Sequence, residues 1–320
     1  TVQLSPTESC SSGCPFCSVA ERPLKSYLPM KKIRKVLEDF KTLGAKAVEI
    51  TGGGEPMLYK DKETKEDINT VIECAYDLGY DIGMITNTGK LNKLKPENFS
   101  KLKWLRISLI KLDEGFEPED YDFCGFPEEN MGLSYIIYEG DTGTGTRINK
   151  SYIPTTKKTI EKIAKVVELH PKIKFVRIAG NCLEKGNNAK ARDEFKDIID
   201  VIDVNNKIFI KDIGFDDNAY NDGCYVGLVR PYVAPNPHGT GEYKIYICTS
   251  HVLNIKNYDL DYSLCDVDDI IPTWKKCNEN YQKKGYPYEL KGNCGKNWSK
   301  ACKFCFYKFN NKILHTVAQE

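Results

Sequence analysis

Cys10, Cys14 and Cys17 stand in the run Cys-Ser-Ser-Gly-Cys-Pro-Phe-Cys, a C-x3-C-x2-C spacing. Three thiolates this close can take three corners of a [4Fe–4S] cube and leave the fourth iron without a protein ligand. An iron with an open position can bind a small molecule and pass it an electron, so the spacing points to chemistry as well as to structure. The competing reading is a zinc knuckle. Structural zinc takes four ligands, and no Cys or His follows Cys17 within fifty residues.

A second segment bears on the same chemistry. Thr51-Gly52-Gly53-Gly54-Glu55-Pro56 follows Ala47-Val48-Glu49-Ile50, which reads as a short buried strand. Glycines let backbone carbonyls come close to an ammonium group, and the proline stiffens the exit. The run has neither the Gly-Lys-Ser/Thr ending of a phosphate loop nor a G-x-G-x-x-G pattern. Together the two motifs make the chain resemble the radical S-adenosylmethionine (radical SAM) superfamily over roughly residues 1–210.

The resemblance implies that Cys10, Cys14 and Cys17 hold a [4Fe–4S] cluster and that Gly53, Gly54 and Glu55 hold the amino group of SAM. Phe16 falls where the family has an aromatic residue beside the adenine. Met84-Ile85-Thr86-Asn87-Thr88-Gly89 resembles the end of the family's third strand and makes Asn87 a SAM-binding candidate. Arg106-Ile107-Ser108-Leu109 resembles the fourth, with Ser108 near the ribose or carboxylate. By themselves Asn87 and Ser108 are ordinary strand-end polar residues. The chemistry implied is reductive cleavage of SAM to a 5′-deoxyadenosyl radical, which abstracts hydrogen from a substrate. An electron donor such as flavodoxin or ferredoxin is implied with it.

Those residues need a scaffold. Apolar residues at Ile33, Val36, Leu37, Phe40 and Leu43 predict a helix over 30–43, and Ile68, Val71, Ile72, Ala75 and Leu78 predict one over 65–79. Further helices are expected near 96–101, 156–169 and 188–202. Strands are expected at 2–4, 46–51, 81–86, 104–110, 133–138 and 173–179. The alternation argues for parallel β/α units. Six strands fit the incomplete (β/α)6 TIM-like barrel that the resemblance implies, within an α/β fold of domains 1–211 and 212–320. Residues 112–131, acidic and turn-rich, and 139–151 read as loops at the carboxyl ends of strands, where substrate contacts gather.

From about residue 212 the alternation stops, and a smaller α+β cluster-binding domain is expected. Cys224 and Cys248 bracket a predicted hairpin whose second strand is Tyr243-Lys244-Ile245-Tyr246-Ile247, and Cys302 and Cys305 form a C-x2-C. This resembles the twitch and SPASM auxiliary-cluster domains, which implies an auxiliary [4Fe–4S] cluster on Cys224, Cys248, Cys302 and Cys305. Cys294 is an alternative ligand, and Cys265 and Cys277 leave room for a second cluster. Hairpin plus C-x2-C also builds zinc ribbons, so a non-catalytic zinc-binding module stays open.

Composition narrows the classes. The 320 residues are 41% apolar and 28% charged, with no run long enough to span a membrane. Thirteen cysteines without a secretion signal point to metal-bound thiolates in a reducing cytoplasm rather than to a disulfide scaffold. The net charge is +1, yet residues 271–320 carry ten lysines against three acidic residues, interleaved with aromatics. Such a surface suits nucleic acid, or equally the wrapping of an anionic cluster. Oxidation or cross-linking of a peptide side chain is the leading expected reaction, with modification or isomerisation of a nucleotide or nucleic-acid base as the alternative.

Overall fold

The computed structural model describes residues 1–138 except Ser18 and Glu21, then 155–181, 193, 195–200, 203, 206–211, 224–236, 241–249, 263–285 and 307–317. Eight parallel strands form most of one sheet: β1 (Val2–Leu4), β2 (Ala47–Ile50), β3 (Asp81–Thr86), β4 (Leu102–Ser108), β5 (Met131–Ile137), β6 (Phe175–Gly180), β7 (Ile208–Lys211) and β8 (Tyr232–Pro235). Two antiparallel strands, β9 (Tyr243–Tyr246) and β10 (Cys265–Asp266), complete the order β10-β9-β8-β1-β2-β3-β4-β5-β6-β7. The sheet is mostly parallel and does not close, as an incomplete barrel requires.

The first six strands lie where the sequence places them, with shifted ends. β4 stops at Ser108 because Leu109–Glu114 winds into a 3₁₀ turn. The hairpin bracketed by Cys224 and Cys248 is present as β8 and β9, but β8 pairs in parallel with β1 and so continues the barrel sheet. β7 extends the sheet beyond the sixth strand and is not anticipated from the sequence.

Register divides the sheet into two unlike faces. Val2, Leu4, Val48, Ile50, Ile82, Met84, Leu105, Ile107, Leu133, Val176 and Ile178 are all buried. They share one core with Ile33, Val36 and Phe40 of helix α1 (Met30–Thr42), Ile68, Val71 and Ile72 of α2 (Ile68–Asp77), and Ile160, Ile163 and Val167 of α3 (Lys157–Leu169). Burial of this apolar face, at roughly 25 cal/mol per Å², is what fixes the β/α layers. Helix starts are set locally: Asp67 accepts from Asn69 N–H, Thr156 and Thr159 form a capping box, and Asp61 reaches across to the Met30 N–H at 2.6 Å.

The opposite face carries Gln3, Glu49, Trp104, Arg106, Ser108, Ser134, Phe175, Arg177, Phe209 and Lys211, as the paired registers require. In a flat sheet β7 and β8 would be seven strand spacings, ~34 Å, apart. Burial depresses the amine of Lys211 on β7, and so do the charges of Arg177, Arg106 and Arg230, the last of which precedes β8. The sheet is therefore curled, and its polar face lines a lumen.

Among the described residues, no helix is long and apolar enough to cross a membrane.

Candidate active site

The loop carrying the three cysteines leaves the carboxyl end of β1, which is held from both sides. Ser5 N–H donates to Val233 O, and Thr51 N–H donates to Leu4 O, both at 2.8 Å. The glycine turn after β2 then runs beside the loop's first residues. Gly53 N–H donates to Ser5 Oγ at 3.1 Å, Gly54 N–H to Thr7 O at 3.2 Å and Glu55 N–H to Ser9 O at 2.7 Å. A Cβ on Gly54 would stand 2.4 Å from Thr7 O and 2.5 Å from Ser9 O, and one on Gly53 would stand 2.2 Å from Glu8 Oε2. These glycines are thus demanded by the approach of two chain segments.

The thiols themselves crowd together. Cys17 N–H donates to Cys14 O at 3.0 Å, closing a turn. Burial pushes the Cys14 thiol well up, and the neighbouring Cys17 and Cys10 add to the shift. Burial also pushes Cys10 up, against the Ser12 N–H, Arg22 and Asn87. Two donors already face the sulfurs: Asn87 Nδ2 lies 3.2 Å from Cys10 Sγ, and Arg22 Nη1 lies 3.3 Å from Cys17 Sγ. Arg22 is itself buried and held by Glu8 at 2.9 Å and by Val19 O at 2.7 Å. Buried donors around neighbouring thiols are the surroundings that a thiolate-bound metal cluster needs.

The next cysteine, Cys74, lies on α2 and interacts with Arg34, away from the loop. Among the described residues no three His, Cys, Asp or Glu side chains converge on one ion position. Three neighbouring sulfurs met by two hydrogen-bond donors fit a cube held at three corners.

Glu55 is buried and fully engaged. Oε1 accepts from Met57 N–H at 2.9 Å and Thr86 Oγ1 at 2.5 Å, while Oε2 accepts from Asn87 N–H at 2.6 Å. Burial raises its pKa, opposed by these hydrogen bonds. Its visible work is to lock the end of β2 to the end of β3. Asn87 is the hinge of that arrangement, and its Oδ1 is buried without a partner. An acceptor of that kind suits an ammonium or hydroxyl of a bound cofactor.

Ser108 ends β4 on the lumen face, in register with Ser134. Phe16 packs against Tyr138, ring centroids 5.4 Å apart. Sequence reasoning missed Arg22 and the ion pair Lys111–Glu114. Lys111 Nζ reaches Glu114 Oε2 at 2.7 Å and Ser12 Oγ at 3.0 Å, which pins the cysteine loop to the turn after β4. Neither residue carries a sequence signal, since only the 3₁₀ turn brings Lys111 inward.

The auxiliary candidates lie at the other end of the sheet. Tyr232 opposes Tyr246, so Cys248, two residues on, sits at the amino end of the parallel strands. Cys224 packs against Ile247 and Cys277, and Cys277 acts on the Cys265 thiol, which burial pushes up to about 12. Cys294, Cys302 and Cys305 lie outside the described residues.

Comparison with known proteins agrees with this geometry. Residues 4–114 match the radical SAM superfamily. A Selenomonas ruminantium protein named S-adenosylmethionine-dependent nucleotide dehydratase is 29% identical over 115 residues, 35% of this chain and 39% of that protein. A GTP 3′,8-cyclase of Tolumonas auensis is 33% identical over 118 residues, 35% of this chain and 33% of that protein. The chain thus spans between a third and two fifths of the length of these curated relatives. The crystal structure of native anSMEcpe with bound AdoMet and Cp18Cys peptide shares the fold at 14% identity, with a TM-score of 0.51 over 99% of this chain and 98% of that one. The radical SAM match over residues 4–114 thus takes in the cysteine loop, the glycine turn and Asn87.

Proposed function

We propose that this protein abstracts a hydrogen atom from a substrate held in the barrel lumen, with an auxiliary [4Fe–4S] cluster at the opposite end. The observation that carries the reading is the cysteine loop locked over the lumen, its sulfurs met by Asn87 and Arg22. A [4Fe–4S] cluster and SAM, when bound, supply a 5′-deoxyadenosyl radical. Cys10, Cys14 and Cys17 hold the cluster, Arg22 and Asn87 stabilise thiolate charge, and Asn87 Oδ1, the Gly53–Gly54 backbone and Ser108 bind SAM beside Phe16. Glu55 acts as a positioning residue that keeps Asn87 in place. Cys224 and Cys248, with Cys302, Cys305 or Cys294, hold the auxiliary cluster, and a flavodoxin- or ferredoxin-type protein delivers the electron.

Two substrate classes have support. A peptide side chain is favoured by the peptide bound to anSMEcpe, a likeness of fold alone. A nucleotide is favoured by the names of both curated relatives, which match across the segment that carries the site, and by the cationic lumen. The nucleotide reading rests on more of this chain's own chemistry, and we prefer it. Anaerobically reconstituted protein given dithionite and SAM should release 5′-deoxyadenosine. Cys14→Ala should abolish that product, and Cys248→Ala should retain it while losing substrate turnover. Reconstituted wild-type protein that makes none would defeat the reading.

A further inference from the structure

Among the described residues, the lumen wall carries more positive charge than its carboxylates balance. Arg106 on β4, Arg177 on β6 and Lys211 on β7 share the inner face, and Arg230 stands at its base. Glu49 answers Arg230 at 2.8 Å and accepts from Gln3 Nε2 at 2.7 Å. Among the described residues no carboxylate pairs with Arg106, Arg177 or Lys211. The Nε atoms of Arg106, Arg177 and Arg230 are buried without a hydrogen-bond partner.

The charges feel one another. Burial depresses Arg106 to about 10, and Arg177 and Arg230 add to the effect against Glu49. Burial likewise depresses Arg177. Guanidinium groups held in low dielectric, facing like charges and with unmet donors, are unfavourable unless an anion completes them.

Strand tilt gathers these cations at one level of the lumen. Glu49 shares a hydrogen-bonded row with Gln3, Gly83 and Trp104. Counted along such rows, Arg106 lies two residues beyond it, Arg177 four and Lys211 six, an offset of about one residue per strand. That is the stagger of tilted strands in a curled sheet, so the charges still act on one another. Guanidinium forks match phosphoryl oxygens in pairs. Phe175 and Phe209, ring centroids 5.9 Å apart, line the same wall and offer an aromatic surface.

We propose that Arg106, Arg177 and Lys211 form a polyphosphate-binding cluster on the inner wall of the barrel, which takes the phosphoryl chain of a small-molecule substrate. The inference deepens the nucleotide reading above, and its test is independent of radical chemistry. Cluster-loaded, oxidised protein without SAM or reductant is titrated with inorganic tripolyphosphate by calorimetry. Binding is expected, weakened at least tenfold in Arg106→Gln and in Arg177→Gln and unchanged in Lys35→Gln on the outside of α1.

Thermal unfolding separates ligation from a structural role. Removing an unmatched cation should leave the melting temperature of ligand-free Arg106→Gln equal to or above wild type, while tripolyphosphate should raise the wild-type value more than the variant's. Three results would overturn the proposal: binding that ignores both arginine variants, citrate bound in preference to tripolyphosphate, or full competition by SAM, which would assign these cations to the SAM carboxylate. Failure of 5′-deoxyadenosine formation would touch only the radical reading.

Discussion

Asn87 donates its side-chain amide to Cys10 Sγ at 3.2 Å while its backbone N–H donates to Glu55 Oε2 at 2.6 Å. One residue therefore joins the cysteine loop to the glycine turn, and the two motifs are mechanically a single unit. Thr86, one position earlier, gives its hydroxyl to the other oxygen of the same carboxylate.

Replacing Glu55 by Gln puts an amide NH₂ where one oxygen now accepts from backbone or Thr86 donors. A buried donor left facing a donor costs about 1–3 kcal/mol. Glu55→Gln should lower stability by that order in chemical denaturation and weaken SAM binding in equilibrium dialysis, with the cysteines untouched.

Hydrogen bonds to cluster sulfurs favour the more negative, reduced state. Asn87→Ala removes the donor to Cys10, so the midpoint potential of the cluster should fall. An EPR-monitored redox titration of the reconstituted protein reads this directly, and Asn87→Asp should lower the potential as well by adding a negative charge.

Gly54→Ala sets a methyl group 2.4 Å from Thr7 O and 2.5 Å from Ser9 O, both rigid backbone atoms. The cysteine loop must move away from the turn. Bound iron after reconstitution should drop well below wild type while the far-ultraviolet circular dichroism stays close to it, because the helix-facing core is not involved.

Asp113 should make stability pH-dependent. It is buried and accepts from Tyr135 OH at 2.9 Å, and burial lifts its carboxyl to about 7 despite that bond. Between about pH 4 and 7 the folded chain holds a proton that the unfolded chain has released, so stability falls as pH rises. The loss is at most about 4 kcal/mol across that window. Asp113→Asn should flatten the slope, as urea unfolding at pH 5 and pH 7 would show.

Much of this fold can be read from the chain. Ile33, Val36, Leu37 and Phe40 declare α1 by spacing, and six strands follow from apolar runs between helices. β7 is not anticipated, and β8, expected as part of the hairpin, also pairs in parallel with β1, so the sheet holds two more parallel strands than expected. The cysteines and glycines announce the site, but the work of Glu55 and Lys111 depends on contacts between segments about thirty and one hundred residues apart. Arg106 and Arg177 look like ordinary strand residues until register puts them on the same inner wall.

The central claim is a cluster iron left open by Cys10, Cys14 and Cys17 that takes SAM. The most direct measurement is EPR of the reduced, reconstituted protein with and without SAM, with nitrogen hyperfine coupling read from SAM labelled with ¹⁵N at its amino group. We expect the [4Fe–4S]⁺ signal to change on SAM addition and to show coupling to that nitrogen. A signal indifferent to SAM, or a metal-loaded loop containing zinc and no iron, would contradict the account.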